Sequence, residues 1–170
     1  DALRCIDGYN LCMTGNNLDD HLGRGVVVEN TYGSVLSGNM IEECKGTAVL
    51  LDRDCYGVTL GANEIAHNGG GIELRDAHGC AVSANTFTIN WDFGLKVGPN
   101  SGRIAVSGNS FSNSYIGKGD VWRDSDDLHA GGIVLESTSQ LTVSANVFSS
   151  VRPKALEVKG APSREVIFSN

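Results

Sequence analysis

A unit of about 23 residues recurs along the chain and restricts the fold more strongly than any other feature of the sequence. Each unit opens with a small residue, which is followed by two apolar residues separated by one position. Successive units begin about 23 residues apart, except for one longer interval. A fixed period in this range is typical of solenoids, in which each repeat buries its apolar face against its neighbours. The opening small residues are Gly25, Ala48, Gly71, Gly94, Gly132 and Ala155.

One unit, Gly71–Phe87 with the sequence GIELRDAHGCAVSANTF, shows how the repeat is built. Ile72 and Leu74 are separated by one residue, and so are Cys80 and Val82 after a polar turn. Since alternate side chains of a strand face the same side, each apolar pair predicts a short strand. A recurring Asn, followed two residues later by an apolar residue, adds a third strand. These Asn residues are Asn16, Asn39, Asn63, Asn85, Asn109 and Asn146.

Three short strands per period, without a helical period, predict an all-β fold: a single-stranded parallel β-helix of about six to seven coils of about 23 residues. A β-sandwich would not keep Gly, Asn and aromatic positions in step over six repeats. Crossovers between parallel strands are strongly right-handed, so we expect a right-handed helix. The Asn amides should stack along its axis, and Ile65, Phe87, Phe111 and Phe148 should form an apolar column.

The repeat Gly132–Phe148, GIVLESTSQLTVSANVF, resembles the right-handed parallel β-helix repeats of the pectin-lyase-like superfamily. That superfamily includes polysaccharide lyases, alginate epimerases, some glycosidases, phage tailspikes and NosD-type periplasmic proteins. The resemblance implies a polysaccharide or oligosaccharide partner and a secreted, periplasmic or cell-surface location. We expect residues 1–170 to form one β-helix domain that is a segment of a longer chain, or whose end is covered by another chain.

The charge balance argues against two classes of partner. The formal net charge is −7, which repels nucleic acid and anionic membranes as a whole body. The sequence contains no apolar run of the length that a membrane-spanning helix needs. We therefore predict neither a nucleic acid nor a membrane as partner.

One interval breaks the period, because Gly94 and Gly132 are separated by well over one and a half repeats. The extra residues, 112–131, are predicted to form a loop that leads into the first strand of a coil and overhangs its outer face. Long loops on a rigid scaffold often carry function. The resemblance indicates the same face, since the substrate groove of the polysaccharide lyases and epimerases follows this strand.

Several charged side chains are predicted to point outward from that strand. Glu73 and Lys96 lie on neighbouring coils and should be about 5 Å apart. Glu73 and Glu136 should be about 10 Å apart or more, at or beyond the limit for an inverting glycosidase. Arg75 and Lys96 are the basic candidates for removing the α-proton of a uronate. The candidate catalytic residues are Glu73, Lys96, Arg75 and His129.

The flanking loops add candidates for substrate and metal binding. A tryptophan can stack its flat apolar face on a sugar ring, and carboxylates near a groove can hold Ca²⁺, which would polarise a uronate carboxyl group. Ca²⁺ is the one candidate cofactor. The candidate substrate-binding residues are Trp91, Trp122, Arg123, Glu136 and His67, and the candidate metal ligands are Asp126 and Asp127.

Structural interpretations of the same residues remain open. Glu73 beside Lys96 is also what an ordinary cross-strand ion pair looks like, and loop carboxylates commonly serve only solvation. The DPHD motif of alginate epimerases and the full signatures of polygalacturonases are absent from the sequence. Two functions therefore stand: a carbohydrate-active protein of lyase, epimerase or hydrolase type, and a non-catalytic structural or adhesive rod.

Overall fold

A computed structural model describes residues 1–113 and 130–169 of the chain. Within these ranges the regular structure consists of strands, all paired in parallel, without a helix. The strands form three sheets that run along the rod, and each coil passes from the first sheet to the second and then to the third. Across the same residues, the fold provides no helix with the length and apolarity of a membrane span.

The first sheet contains one strand from every coil. Its seven members, in spatial order, are β1 (Leu3–Ile6), β4 (Val26–Glu29), β7 (Thr47–Asp52), β11 (Gly70–Leu74), β15 (Leu95–Val97), β18 (Ile133–Glu136) and β21 (Leu156–Lys159). Its register steps through Leu3, Val26, Val49, Ile72, Leu95, Ile133 and Leu156. These steps reproduce the predicted spacing of the repeat. Seven coils result, of which the first, beginning near Leu3, lies before the six repeats identified in the sequence.

The other two sheets complete each coil. The second sheet contains β2 (Cys12–Thr14), β5 (Val35–Ser37), β8 (Cys55–Tyr56), β9 (Thr59–Gly61), β12 (Ala77–His78), β13 (Ala81–Ser83), β16 (Gly102–Ser107), β19 (Ser139–Ser144) and β22 (Arg164–Ser169). The third sheet contains β3 (Asn17–Asp19), β6 (Met40–Glu42), β10 (Glu64–Ala66), β14 (Thr86–Thr88), β17 (Ser110–Ser112) and β20 (Val147–Ser149).

The predicted asparagine ladder is present at the corner between the second and third sheets. The amide of Asn85 shows the pattern: its Nδ2 donates to Asn109 Oδ1 at 3.0 Å, and its Oδ1 accepts from Asn63 Nδ2 at 2.9 Å. The backbone N–H of Asn63 also donates to Asn85 Oδ1. Since every one of these polar atoms finds a partner in the next coil, the buried corner carries no unpaired amide at these positions.

The predicted apolar column fills the interior beside the ladder. The rings of Phe87 and Phe111 stack with centroids 4.6 Å apart, and those of Phe111 and Phe148 with centroids 5.0 Å apart. Ile65 continues the column and is fully buried. At the entrance to the first sheet, a Cβ on Gly71 would collide with the carbonyl oxygen of Gly94. Close approach of neighbouring coils therefore explains why this corner takes small residues.

The long interval of the repeat falls between β17 and β18 along the chain. Leu95 of β15 pairs directly with Ile133 of β18, so the coils on both sides of the interval remain adjacent. β17 ends at Ser112 in the third sheet, and β18 begins at Ile133 in the first sheet. Most of the predicted loop 112–131 lies outside the described residues.

Candidate functional site

The outer face of the first sheet is built from the side chains that alternate with the core. In β7, Val49 and Leu51 pack in the interior, whereas Leu50 points to the opposite side. At the centre of this outward row, Glu73 and Lys96 are charged, whereas their neighbours Leu50 and Val134 are apolar. The register of the sheet places this row at Val27, Leu50, Glu73, Lys96, Val134 and Glu157.

Five charged side chains form one connected group across four coils of this face, which we call the Lys96 cluster: Asp52, Glu73, Arg75, Lys96 and Glu136. Lys96 Nζ lies 2.9 Å from Glu136 Oε2 and 3.6 Å from Glu73 Oε1. Arg75 Nη2 lies 3.1 Å from Glu73 Oε2, and its Nη1 lies 3.2 Å from Asp52 Oδ2. Negative and positive groups thus alternate along the cluster, and each carboxylate faces at least one cation.

The carboxyl groups of Glu73 and Glu136 approach each other more closely than predicted. Lys96 Nζ lies 3.6 Å from one oxygen and 2.9 Å from the other, so the sum of these two distances is the largest separation the two oxygens can have. The expected separation of about 10 Å or more is therefore wrong for the side chains. The expected separation was calculated from the distance between coils, whereas the carboxyl groups of Glu73 and Glu136 both bend toward the ammonium group of Lys96. That ammonium also occupies the space in which an inverting glycosidase would hold its water.

The environment of Lys96 keeps its amine protonated. The hydrogen bond to Glu136 raises the pKa of Lys96, and the charge of Glu73 adds to this, although partial burial acts in the opposite direction. An ammonium group has no lone pair, and a guanidinium is not deprotonated in proteins. This arrangement gives no support to proton removal by Lys96 or Arg75, which stays a prediction. Both side chains are suited instead to attracting a carboxylate.

A second ionic group on the same face was not predicted from the sequence. The side chain of Glu29 is only 8% exposed, and it accepts from Arg4 Nη2 at 2.8 Å and from Arg53 Nη1 at 3.0 Å. Arg4 and Arg53 belong to the coils on either side of Glu29. Arg4 and Arg53 lie 25 and 24 residues from Glu29, close to the repeat distance, and this spacing was the available signal. The predicted repeat rested on small, apolar and Asn positions and did not include it.

Two predicted substrate-binding residues lie at the corner that precedes the first sheet. Trp91 is half exposed, and its backbone N–H donates to the carbonyl of Asn68. His67 follows β10 with a φ of 57°, and its backbone N–H donates to the carbonyl of Thr88. The two residues therefore belong to neighbouring coils at the same corner, and their roles in substrate binding stay predictions.

The remaining candidates lie outside the described residues: Trp122, Arg123, Asp126, Asp127 and His129. Their roles remain predictions. Among residues 1–113 and 130–169, no three His, Cys, Asp or Glu side chains come together as metal ligands. A Ca²⁺ site therefore has no support from the described part of the chain.

The comparisons with known proteins agree with this architecture. Residues 1–170 match the family described as right handed beta helix region, so the chain belongs to that family. The predicted resemblance and the predicted right-handed β-helix are thereby confirmed. A comparison of the sequence with curated proteins finds no match.

Solved structures of one enzyme share the fold. The structure of the periplasmic alginate epimerase AlgG is 20% identical over 97% of this chain, with a TM-score of 0.52. A double mutant of AlgG is also 20% identical, over 99% of this chain, with a TM-score of 0.61. The chain spans about half the length of these structures, since it covers 46% of the first and 47% of the second. At this identity the likeness establishes the fold alone.

Proposed function

We propose that the chain is a carbohydrate-active β-helix protein whose ligand is an acidic polysaccharide lying along the outer face of the first sheet. The Lys96 cluster is the observation that carries this proposal. Each coil advances the face by about 4.8 Å, so four coils offer charged groups over about 15 Å along a straight line. A linear polymer is a suitable ligand for such a face. The likeness in fold to an alginate epimerase supports the same substrate class.

The cations of the cluster would bind the polymer through its carboxylates. Arg75 offers a forked guanidinium and Lys96 a single ammonium, and both form short charge-assisted hydrogen bonds with carboxylates. A sugar carboxylate at Lys96 competes with Glu136, whose side chain is 34% exposed and therefore able to move aside. Glu73, which is only 11% exposed, stays between Arg75 and Lys96 and holds both cations in place.

This exchange favours proton removal next to a carboxylate over hydrolysis. Once a sugar carboxylate takes the place of Glu136 at Lys96, the Glu136 carboxylate is free to accept the proton of the adjacent sugar carbon. The electron pair of that C–H bond moves toward the sugar carboxyl group, whose charge Lys96 and Arg75 stabilise. A water molecule on the opposite face can donate a proton to that carbon, and the resulting hydroxide takes the proton from Glu136, which gives an epimer. Loss of the neighbouring glycosidic oxygen, which takes up a proton, gives an unsaturated lyase product.

The decisive experiment screens the protein against a panel of uronate and neutral polysaccharides, with and without Ca²⁺. Ultraviolet absorbance detects unsaturated lyase products, ¹H NMR detects epimerised residues, and reducing-end assays detect hydrolysis. If the protein acts on one of these polysaccharides, Lys96→Met and Glu136→Gln should each lower the rate about 100-fold. This loss is expected because Lys96 is the proposed electrostatic stabiliser and Glu136 the proposed general base.

Lys159→Met is the matched control for this assay. Lys159 lies on the same face and pairs with Glu157 at 3.2 Å, but outside the Lys96 cluster. Its variant should retain the activity of the unmodified protein. Full activity of Lys96→Met would show that the cluster is not the site, even if the protein acts on polysaccharide.

The proposal also assigns roles to the predicted loop residues, and each role can be tested. Asp126 and Asp127 are the proposed Ca²⁺ ligands, Trp122 and Arg123 the proposed additional sugar contacts, and His129 an alternative proton acceptor. A rate that rises with Ca²⁺ and falls in Asp126→Asn supports the metal site. A rate that EDTA leaves unchanged contradicts it.

A secreted, periplasmic or cell-surface location belongs to the same proposal, because the fold neighbour AlgG is a periplasmic enzyme. Fractionation of the source cells, with detection of the protein outside the cytoplasm, tests this location.

The second candidate function is a non-catalytic structural or adhesive rod. The pairing within the Lys96 cluster favours it, since every acidic side chain there already has a cationic partner in the folded chain. A rod of this kind would bind no polysaccharide along the face, and Lys96→Met would change its stability without changing any ligand affinity.

A further inference from the structure

An exposed tyrosine column lies at a different place, the corner between the first and second sheets. Tyr9, Tyr32 and Tyr56 occupy equivalent positions in successive coils. Their ring centroids are 5.4 Å apart for the first pair and 4.3 Å for the second. Tyr9 is 76% exposed and Tyr56 is 50% exposed, so the column is not part of the core. It presents aromatic surface to solvent along three coils.

Two clefts continue this column along the rod. Tyr56 pairs in register with His78, and His78 pairs with Gly102 of the next coil. A cleft of about 310 Å³ contains Tyr56, His78 and Arg103 in its wall. A second cleft, of about 320 Å³, shares His78 and Arg103 with the first and adds hydroxyl and amide side chains. Both volumes are at the lower end of those of small-molecule sites. Together the clefts form one groove that begins at an aromatic ring and becomes polar.

Glycine residues keep the groove open beside the column. The position after each aromatic residue has a positive φ, and in successive coils it is occupied by Gly33, Gly57 and Gly79. A Cβ on Gly79 would meet no atom within 4 Å, so the groove has free space there. The next coil places Arg103 at the equivalent position, with a φ of 55°, a conformation that side chains other than those of Gly, Asn and Asp rarely adopt.

Arg103 is the cation of the groove. Among the ion pairs formed within the described ranges, none includes Arg103, whereas Arg4, Arg53 and Arg75 each contact a carboxylate. An exposed guanidinium beside clefts lined with Ser, Asn and Gln side chains is suited to one anionic group of a polar ligand. The other end of the groove carries Asp54, which would repel an anion.

We propose that this corner is a saccharide-binding site, separate from the Lys96 cluster, that takes an acidic oligosaccharide. One sugar ring stacks on the exposed face of Tyr56, because aromatic rings offer the flat apolar surface that the C–H faces of sugars cover. The polar side chains of the second cleft hydrogen-bond to sugar hydroxyls. Arg103 binds a carboxylate of the ligand, at the end of the groove opposite to Asp54. The site gives the protein a second contact with a polysaccharide.

The test titrates the protein with a galacturonate hexasaccharide and with its fully methyl-esterified, uncharged counterpart. Calorimetry measures affinity, and the assigned ring-proton NMR signals of Tyr9, Tyr32 and Tyr56 report on this corner. The acidic hexasaccharide should shift the signals of Tyr56 and Tyr32 and bind more tightly than the ester. Because the tyrosine signals do not depend on the Lys96 cluster, this result stands or fails separately from the proposed function.

Variants distinguish the stacking of a sugar ring on Tyr56 from the contact between Arg103 and a carboxylate. Tyr56→Ala should weaken binding of both probes about fivefold, whereas Tyr56→Phe keeps the ring and the affinity. Arg103→Gln should weaken the acidic probe about tenfold and leave the ester unchanged. Glutamine suits this position, since Gln140 has a φ of 58° in the next coil, close to that of Arg103. Leu22→Ala, at an 80% exposed residue of another corner, should change neither affinity.

Three results would overturn the proposal. The first is the absence of shifts in the ring signals of Tyr32 and Tyr56 with either hexasaccharide. The second is that the acidic and the esterified hexasaccharide bind with equal affinity, both to the unmodified protein and to Arg103→Gln. This result would show that Arg103 makes no contact with a ligand carboxylate. The third is a pentaglutamate peptide that binds as tightly as the acidic hexasaccharide and loses its affinity in Tyr56→Ala. That outcome would make the corner a site for acidic peptides.

Discussion

The interior of the rod and the outer face of its first sheet are built from the same coils by opposite rules. In the interior, each coil repeats the residue type of its neighbour, as in the asparagine ladder and the phenylalanine stack. On the outer face, Leu50, Glu73 and Lys96 follow one another in register without repetition. Stacking identical side chains satisfies hydrogen bonds and packing between equivalent coils. On the outer face of the first sheet, the residues that depart from the repeat are therefore the better candidates for function.

The two regions also differ in how much freedom their polar groups keep. The amide of Asn85 is buried, and its four hydrogen bonds go to neighbouring coils. Lys96 and Glu136 are 27% and 34% exposed, and their ion pair joins two long side chains. Exposed pairs of this kind contribute little to stability, because water solvates the separated charges well. A ligand can replace a partner on the face but not in the ladder.

Truncation of the central phenylalanine should give the largest loss of stability. Phe111 is fully buried between Phe87 and Phe148, so Phe111→Ala leaves a cavity between two rings. We expect the free energy of unfolding to fall by about 3 to 5 kcal/mol in a denaturant titration. Phe168→Ala, at a half-exposed position, is the control and should lose less than half as much. Equal losses of stability in Phe111→Ala and Phe168→Ala would contradict the importance of stacked rings in the interior.

Removal of one amide from the ladder should be the next most costly change. Asn85→Ala removes the acceptor of the buried backbone N–H of Asn63 and one of the two acceptors of Asn63 Nδ2. The carbonyl of Leu60 and Asn109 Oδ1 each lose a donor. We expect a loss of about 2 to 4 kcal/mol in the same titration, because unsatisfied buried polar groups keep their desolvation cost. Asn16→Ala, at the exposed end of the ladder, should cost about 1 kcal/mol or less.

The interior could be predicted from the sequence because its rule is periodic. A residue type that recurs at one spacing identifies both the strand and the side that its side chain faces, as for Asn85 and Phe111. The predicted count of about six to seven coils is confirmed, but the strand Leu3–Ile6 was not predicted, because the small residues that identify the repeat begin at Gly25. The tyrosine column was also missed, although Tyr9, Tyr32 and Tyr56 recur at the interval of the repeat. That recurrence was a usable signal, but the predicted repeat rested on small, apolar and Asn positions.

The outer face could be predicted only in part. Coil spacing correctly placed Glu73 beside Lys96, since register fixes neighbours within a sheet. It did not reveal that Glu136 reaches back to the same ammonium group, because the reach of a long side chain is independent of backbone spacing. The protonation of Lys96 depends on that contact, so it could not be derived from the residue types alone.

Removal of the lysine charge should have a moderate effect that depends on pH. The pKa of Lys96 is raised by Glu136 and Glu73, so its interactions stabilise the folded chain fully below the unfolded value of about 10.4. That contribution is lost as the pH rises through the folded pKa. We expect Lys96→Met to lower the free energy of unfolding by about 1 kcal/mol at pH 7, with a smaller difference at strongly alkaline pH.

Urea titrations of both proteins across this pH range measure the effect. Lys159→Met, at a 53% exposed side chain paired with Glu157, should change stability by less than about 0.5 kcal/mol. A difference between Lys96→Met and the unmodified protein that stays constant with pH would show that the charge of Lys96 is not its source.

The smallest effect is expected at Glu64 on the third sheet, where a charge lies on a partly buried face. Burial raises the pKa of Glu64 and the charge of Glu42 raises it further, whereas a hydrogen bond with Thr88 lowers it. The folded chain therefore holds this proton more tightly than the unfolded chain. Stability should fall as the pH rises from the unfolded value of about 4.3 through the folded pKa.

Glu64→Gln removes that charge while keeping a side chain that can hydrogen-bond to Thr88. We expect a gain of about 0.5 kcal/mol at pH 7 that disappears below about pH 4, where the carboxyl group is neutral in both states. Urea titrations at the two pH values measure it, with Asp19→Asn on the same sheet as control. A gain at Glu64 that persists at low pH would mean that packing, and not charge, sets this position. The third sheet would then resemble the interior, where packing determines stability, and not the charged outer face of the first sheet.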